Sequence, residues 1–215
     1  MAQLRNSIRF LLNDRIVDLD TVAASDTLLD FLRLEQRLCG SKEGWAEGDC
    51  GACTVLVGRL AGGELIYETV NSCIRFVGSL DACHVVTIEH LRGVDGGLHP
   101  VQQAMVDMHG SQCGFCTPGI VMSLYALWMT NAKPGNADIE TALQGNLCRC
   151  TGYEAIIRAA LAAASTGGQA RDVLISERDK VMATLQDLAD GSRIEMGQVD
   201  DRFFVPASVE DLAEI

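Results

Sequence analysis

Positive charge is scarce in this chain: 17 lysines and arginines stand against 29 aspartates and glutamates, for a formal net charge of −12. Such a surface repels a phosphate backbone, and no basic stripe or aromatic platform offsets it, so nucleic acid is excluded as a partner. Long apolar runs are missing too. Ile8 to Leu12 is too short for an export signal and no stretch approaches a membrane span, so the expectation is a soluble, cytoplasmic protein with no membrane contact. The four histidines, His84, His90, His99 and His109, are scattered without ligand spacing. His99, just before Pro100, reads as a polar lead-in to a helix. No nucleophile, acid and base stand together, so no catalytic residue is assigned.

Cysteine, by contrast, is plentiful. Nine are present, more than a reducing compartment tolerates unless they do chemistry. Seven fall in groups: Cys50-x-x-Cys53 with Cys73 downstream, then Cys113-x-x-Cys116 and Cys148-x-Cys150. Closely spaced pairs in a chain without an export signal point to thiolates on a metal rather than to disulfides. Cys39 and Cys83 stand apart and read as small buried residues.

The periodicity divides the chain. IRFLLNDRIVDLD, from Ile8, predicts two short strands about an Asn13-Asp14 turn. SDTLLDFLRLEQ predicts a helix capped by Ser25 or Asp26, with Leu28, Leu29, Leu32 and Leu34 as its apolar face. CTVLVGRL, a Gly62-Gly63 turn, ELIYETV and HVVTIEHL predict three further strands. Residues 1–92 thus read as a small mixed sheet on one helix, the arrangement of a β-grasp ferredoxin-like domain. From His99 the period moves to about 3.6. Pro100 opens a helix through Gln102, Met105 and Met108 to Gly110. TPGIVMSLYALWMTN has Thr117 as N-cap and Pro118 in its first turn, a short helix spans 137–144, and TGYEAIIRAALAAAS has Thr151 as cap. These predict an all-α four-helix bundle over residues 93–167, with Met105, Met108, Met122 and Met129 in its core. The fold class is α+β, with residues 168–215 a linker containing one amphipathic helix over ISERDKVMATLQDLADG.

In the first region the spacing follows the plant-type [2Fe–2S] pattern C-x4-C-x2-C with a distant fourth cysteine. Cys50, Cys53 and Cys73 take three of the places, and Gly44, Gly48 and Gly51 let main-chain N–H groups approach the sulfurs. In the helical region Cys116 and Cys150 each stand just before an expected helix start, where the helix dipole favours negative charge. Four thiolates there suit either an all-cysteine zinc site or a [2Fe–2S] cluster.

The strings GSQCGFCTPGIVMSLYAL and LQGNLCRCTGY resemble the helical iron–sulfur domain of the molybdenum hydroxylases. KEGWAEGDCGACTV with Asn71-Ser72-Cys73 resembles their ferredoxin-like domain, and together the similarity covers residues 6–165. DRFFVPASVEDLAEI resembles the opening of the FAD domain in the small subunit of the bacterial xanthine dehydrogenase branch. The resemblance implies an electron-transfer subunit with two [2Fe–2S] clusters. Cys113, Cys116, Cys148 and Cys150 would hold the one nearer molybdenum, and Cys50, Cys53 and Cys73 would belong to the one nearer FAD. It places Gln112 and Cys150 against the molybdopterin of a large partner subunit, which carries out the hydroxylation, in a heterotetramer of two small and two large subunits. FAD would bind beyond the present residues. Arg149 could tune a cluster electrostatically or face partner or solvent. The alternatives are a small subunit acting with an aldehyde- or N-heterocycle-oxidising enzyme, and a free-standing ferredoxin-like or zinc-binding module.

Position 45 departs from the pattern. The first ligand of the plant-type site should stand there, and Trp45 offers no lone pair to iron because its ring nitrogen only donates. The site is then empty or completed by Glu43 or Glu47, or Cys39 moves in, or the residue is a single-base replacement of cysteine.

Overall fold

The computed structural model describes residues 3–92, 95–198 and 201–215. The domain boundary expected at residues 92 and 93 adjoins residues 93–94, which lie outside the described residues. β1 (Leu4–Arg5) is followed by the hairpin of β2 (Ile8–Leu12) and β3 (Arg15–Leu19), with Asn13 at φ 57° in its turn. Asparagine is among the few residues that enter this left-handed region at low cost. α1 (Leu28–Asp30) runs into a π-helical turn, Phe31–Glu35.

The cap of α1 is Thr27, whose hydroxyl accepts from the Asp30 amide at 3.1 Å, in place of the expected Ser25 or Asp26. Asp26 accepts instead from the Ala23 amide. The wide turn, closed by the Gln36 amide on the Phe31 carbonyl, takes later residues off the 3.6 period, and Leu34 ends 63% exposed rather than on the apolar face.

β4 (Thr54–Ala61) and β5 (Glu64–Asn71) pair through the Gly62-Gly63 turn. β6 (His84–Val86) inserts parallel to β2 and antiparallel to β4, giving a mixed sheet of order β3-β2-β6-β4-β5. The last strand is shorter than expected because Thr87 leaves the ladder. Its amide binds the Asn13 side chain, its hydroxyl binds Glu89, and a 3₁₀ turn follows at Ile88–His90.

The helical region supplies α2 (Pro100–Asp107), α3 (Thr117–Thr130), α4 (Asn136–Ala142) and α5 (Glu154–Thr166). The single helix expected after it is two, α6 (Val173–Ser176) and α7 (Arg178–Leu188), separated at Glu177. β7 (Arg193–Gln198) and β8 (Asp201–Val205) pair antiparallel, β7 lies parallel to β1, and Ser208 caps α8 (Val209–Leu212).

Strand alternation builds two cores from one sheet. Ile8, Phe10, Leu12, Val55, Val57 and Val85 face α1 with Leu28, Phe31 and Leu32; Ile194 and Met196 of β7 join them. Leu56 and Val86, one residue out of phase, enter the core of α2, α3 and α5 with Met105, Ile120, Met122, Tyr125 and Trp128. Leu11 and Leu65 pack on Val181, Leu185 and Leu188 of α7. Truncating Leu56, fully buried, to alanine costs about 2–5 kcal/mol. No helix among the described residues is long and apolar enough to cross a membrane.

Candidate functional site

Six of the seven grouped cysteines come together as three pairs, and Cys50 stands beside one of them. In the first region the thiols of Cys53 and Cys73 lie 3.4 Å apart, both buried. Their loops are tied by the Ser72 hydroxyl on the Cys53 carbonyl at 2.8 Å and by the Asn71 side-chain amide on the Gly48 carbonyl. Burial, with the hydrogen bond to Cys53, pushes the Cys73 thiol up to about 11. Cys50, half-buried on the same loop, lies near enough for its charge to raise Cys73 further.

In the helical region Cys113 and Cys150 are exposed, with sulfurs 3.6 Å apart. Cys116 and Cys148 form the inner pair. Burial and the bond to Cys148 push Cys116 up to about 12. For Cys148 burial works against ionisation, but the hydroxyl and amide of Thr151, the Cys150 amide and the Cys116 thiol outweigh it and hold that thiol below its usual value.

Helix capping at these cysteines differs from expectation. Cys116 itself is the N-cap of α3, and Thr117 is its first helical residue, its hydroxyl bonded to Ser111 at 2.8 Å. α5 begins at Glu154 rather than after Thr151, because Tyr153 sits at φ 69° and breaks the helical path. Thr151 turns to the Cys148 sulfur at 3.2 Å instead. The Tyr153 hydroxyl accepts from the Cys148 amide at 2.7 Å and donates to the Asn146 carbonyl at 3.0 Å, fixing the loop that carries Cys148. Only one of the two expected helix N-termini therefore stands directly at a cysteine pair.

Asn146, which sequence reasoning did not single out, fastens the two regions together. Its side-chain amide donates to the Gly51 carbonyl at 3.0 Å and to Thr54 at 3.1 Å, and its oxygen accepts from Ser123 at 2.6 Å, all buried. The Leu147 amide binds the Cys50 carbonyl at 2.9 Å. Close approach requires glycine on both sides: a Cβ on Gly119 would collide with the Gly51 carbonyl, and one on Gly51, at φ 67°, with the Gly145 carbonyl. The only sequence signal was Asn146 standing between the glycine and cysteine of QGNLC.

Several other assignments change. Cys39 is exposed, not buried, because the chain around it is held outward: its sulfur faces the Arg33 carbonyl at 3.8 Å and the Gly40 amide binds Glu89. Cys83 is buried as expected. Gln112 and Arg149 are exposed beside Cys113 and Cys150. Trp45 is 57% exposed, and with Gly44, Cys50, Cys113, Phe115, Cys116, Leu147, Arg149 and Cys150 it lines a cavity of about 320 Å³. His99 does more than lead into α2. Buried, it bonds Asp172 at 3.2 Å, and Tyr125 donates to the same carboxylate at 2.6 Å.

Comparison with known proteins falls on the same ground. Residues 87–161 match the model of a [2Fe-2S] binding domain. The chain is 46% identical over 157 residues to a xanthine dehydrogenase of Drosophila pseudoobscura pseudoobscura, covering 72% of this chain and 12% of that one. It is 45% identical over 150 residues to a xanthine dehydrogenase/oxidase of Gallus gallus, covering 69% and 11%. This chain thus spans about a tenth of the length of these curated relatives. Among solved structures, quinoline 2-oxidoreductase from Pseudomonas putida 86 matches at TM-score 0.62 and 31% identity over 74% of this chain and 94% of that one. The aldehyde oxidoreductase of Desulfovibrio gigas matches at 0.64 and 33%, over 77% and 18%. With one of these relatives covered almost from end to end, and Cys113, Cys116, Cys148 and Cys150 inside the [2Fe-2S] match, this chain belongs to the iron–sulfur part of the molybdenum hydroxylases, a family of oxidoreductases.

Proposed function

We propose that the chain is the electron-transfer part of a xanthine dehydrogenase-type molybdenum hydroxylase, with Cys113, Cys116, Cys148 and Cys150 holding a [2Fe–2S] cluster and Cys50, Cys53 and Cys73 supplying ligands toward a second. The reading assigns residues 1–92 to a β-grasp ferredoxin-like domain, 93–167 to a four-helix [2Fe–2S] bundle, and 168–215 to a linker and the start of an FAD domain. The observation that carries it is the two-by-two arrangement of the thiols. Two tetrahedral bonds of about 2.3 Å on one metal place their sulfurs about 3.8 Å apart, near the 3.6 Å of Cys113 and Cys150 and the 3.4 Å of Cys53 and Cys73. A diiron cluster needs two such pairs. A single zinc ion instead needs all four donors around one point.

When bound, such clusters supply one-electron transfer between a molybdopterin and FAD, with NAD as the final acceptor. The protein's part is to hold the ligands and set their surroundings. Tyr153, Thr151 and Asn146 fix the Cys148 loop, where Cys148 is buried and Cys116 half-buried. The outer pair, Cys113 and Cys150, is exposed together with Gln112, Phe115 and Leu147. This favours docking of the large molybdopterin subunit on that face, with Gln112 and Cys150 toward the pterin, and the hydroxylation on the partner. Two copies of each chain make the complete enzyme.

Anaerobic purification of the full chain with whatever accompanies it tests the reading. Iron with equal acid-labile sulfide, an EPR signal on reduction and a co-purifying molybdopterin protein are expected. Stoichiometric zinc without sulfide would overturn it.

A further inference from the structure

The first cysteine set does not fit a complete [2Fe–2S] cluster. One half of it is built: Cys53 and Cys73, buried and 3.4 Å apart, are the pair one iron requires. The other half is a single thiol. Cys50 should be matched by position 45, and Trp45 has no group that binds iron.

None of the residues that could substitute is in place. Cys39 directs its sulfur at the Arg33 carbonyl, while the Lys42 amide on the Ala52 carbonyl at 3.0 Å and the Gly40 amide on Glu89 at 2.7 Å pin the intervening chain. Glu43 and Glu47 are exposed. The Trp45 side chain, 57% exposed, lines the cavity shared with Cys113, Phe115, Leu147 and Cys150.

The loop nevertheless follows a tight, braced path around Cys50 and Cys53. Ala46, Gly48 and Gly51 hold φ values of 59°, 89° and 67°. The Asn71 bond to the Gly48 carbonyl and the Thr54 hydroxyl on the Gly51 carbonyl brace that path without help from residue 45. At Gly44 an added Cβ would stand 2.6 Å from the Cys50 sulfur, so the main chain entering position 45 passes directly beside the orphan thiol.

We propose that this loop is a preformed [2Fe–2S] site lacking one ligand, that the chain retains a single cluster in the helical set, and that restoring a thiol at position 45 alone creates the second. The inference rests on the [2Fe–2S] reading above. Its test compares the parent chain, Trp45→Cys and Trp45→Ala for iron, acid-labile sulfide and reduced EPR after anaerobic reconstitution. Expected are about two irons and one signal for the parent and Trp45→Ala, and about four irons with a second signal for Trp45→Cys. Trp45→Ala separates the missing ligand from the bulk of the indole, because alanine removes the ring and adds no donor. Four irons in the parent would overturn the inference, as would Trp45→Cys remaining folded at two, or Trp45→Ala reaching four. Zinc without sulfide in all three would instead sink the underlying iron–sulfur reading.

Discussion

The two cysteine regions differ in what holds them. In the helical region the sulfurs and their supports are both present: two pairs, with Thr151 on the Cys148 sulfur and Tyr153 on the Cys148 amide. In the first region the supports are intact while one sulfur is missing, since Asn71, Ser72 and Thr54 hold the loop by bonds to main-chain carbonyls. On the proposed [2Fe–2S] reading, the shape of this loop and its ligand set are therefore separable: glycines and backbone hydrogen bonds determine the first, and a single side chain removes the second without unmaking it.

Alanine replacements break this comparison most directly. Cys116→Ala should remove essentially all the bound iron and the EPR signal, because the inner pair loses a ligand. Cys50→Ala should leave both unchanged, since its partner position is already Trp45. Equal iron loss in both variants would mean that the first loop holds metal in the parent protein.

The next largest effect is expected at the junction. Asn146→Ala leaves the Ser123 hydroxyl without its buried partner and removes one bond each from the Gly51 carbonyl and Thr54, which still bond each other. An unmet buried hydrogen-bonding group costs about 1–3 kcal/mol, so a loss of about 2 kcal/mol is expected in urea unfolding. A loss below about 1 kcal/mol would show that the two regions are joined by packing alone.

The same junction shows where sequence reading reaches its limit. The strands about Asn13-Asp14 and Gly62-Gly63, the helix opened by Pro100 and the grouping of seven cysteines were legible because their signals are local: turn residues, alternation and short spacings. Asn146 reaches Gly51 across 95 residues, and His99 reaches Asp172 across 73. Neither partner carries a mark of the other. The pairing of β1 with β7 joins opposite ends of the chain and was equally invisible. The start of α5 was misplaced because nothing in a tyrosine announces φ 69°, a conformation bought by its hydroxyl's two bonds to the neighbouring loop. Cys39 was misjudged because a free cysteine is ordinarily buried, and the Glu89 bond that holds its neighbour outward is also distant.

Acid separates the two regions once more, with a smaller and graded effect. In the sheet, His84 is buried between β2 and β4, and its Nε2 donates to the Asn13 carbonyl while Nδ1 accepts from the Tyr67 hydroxyl. Protonation would set Nδ1–H against that hydroxyl, and burial lowers the residue from 6.5 to about 4. Between these values the unfolded chain binds the proton and the folded one does not. Stability is therefore full above pH 6.5 and falls as pH drops toward 4, by roughly 3 kcal/mol in all. His90, also lowered by burial, adds in the same direction. Beside the helical core, burial of Asp172 opposes its ionisation, but hydrogen bonds from His99, Tyr125 and the Leu174 amide outweigh it and hold the carboxyl below 3.8. Its contribution is present above pH 3.8 and lost only as pH falls further. Urea unfolding at a series of pH values should accordingly show a decline between 6.5 and 4 that His84→Gln flattens, and a second decline below 3.8 that it leaves in place. If the first decline persists in full in that variant, the sheet histidine is not its source.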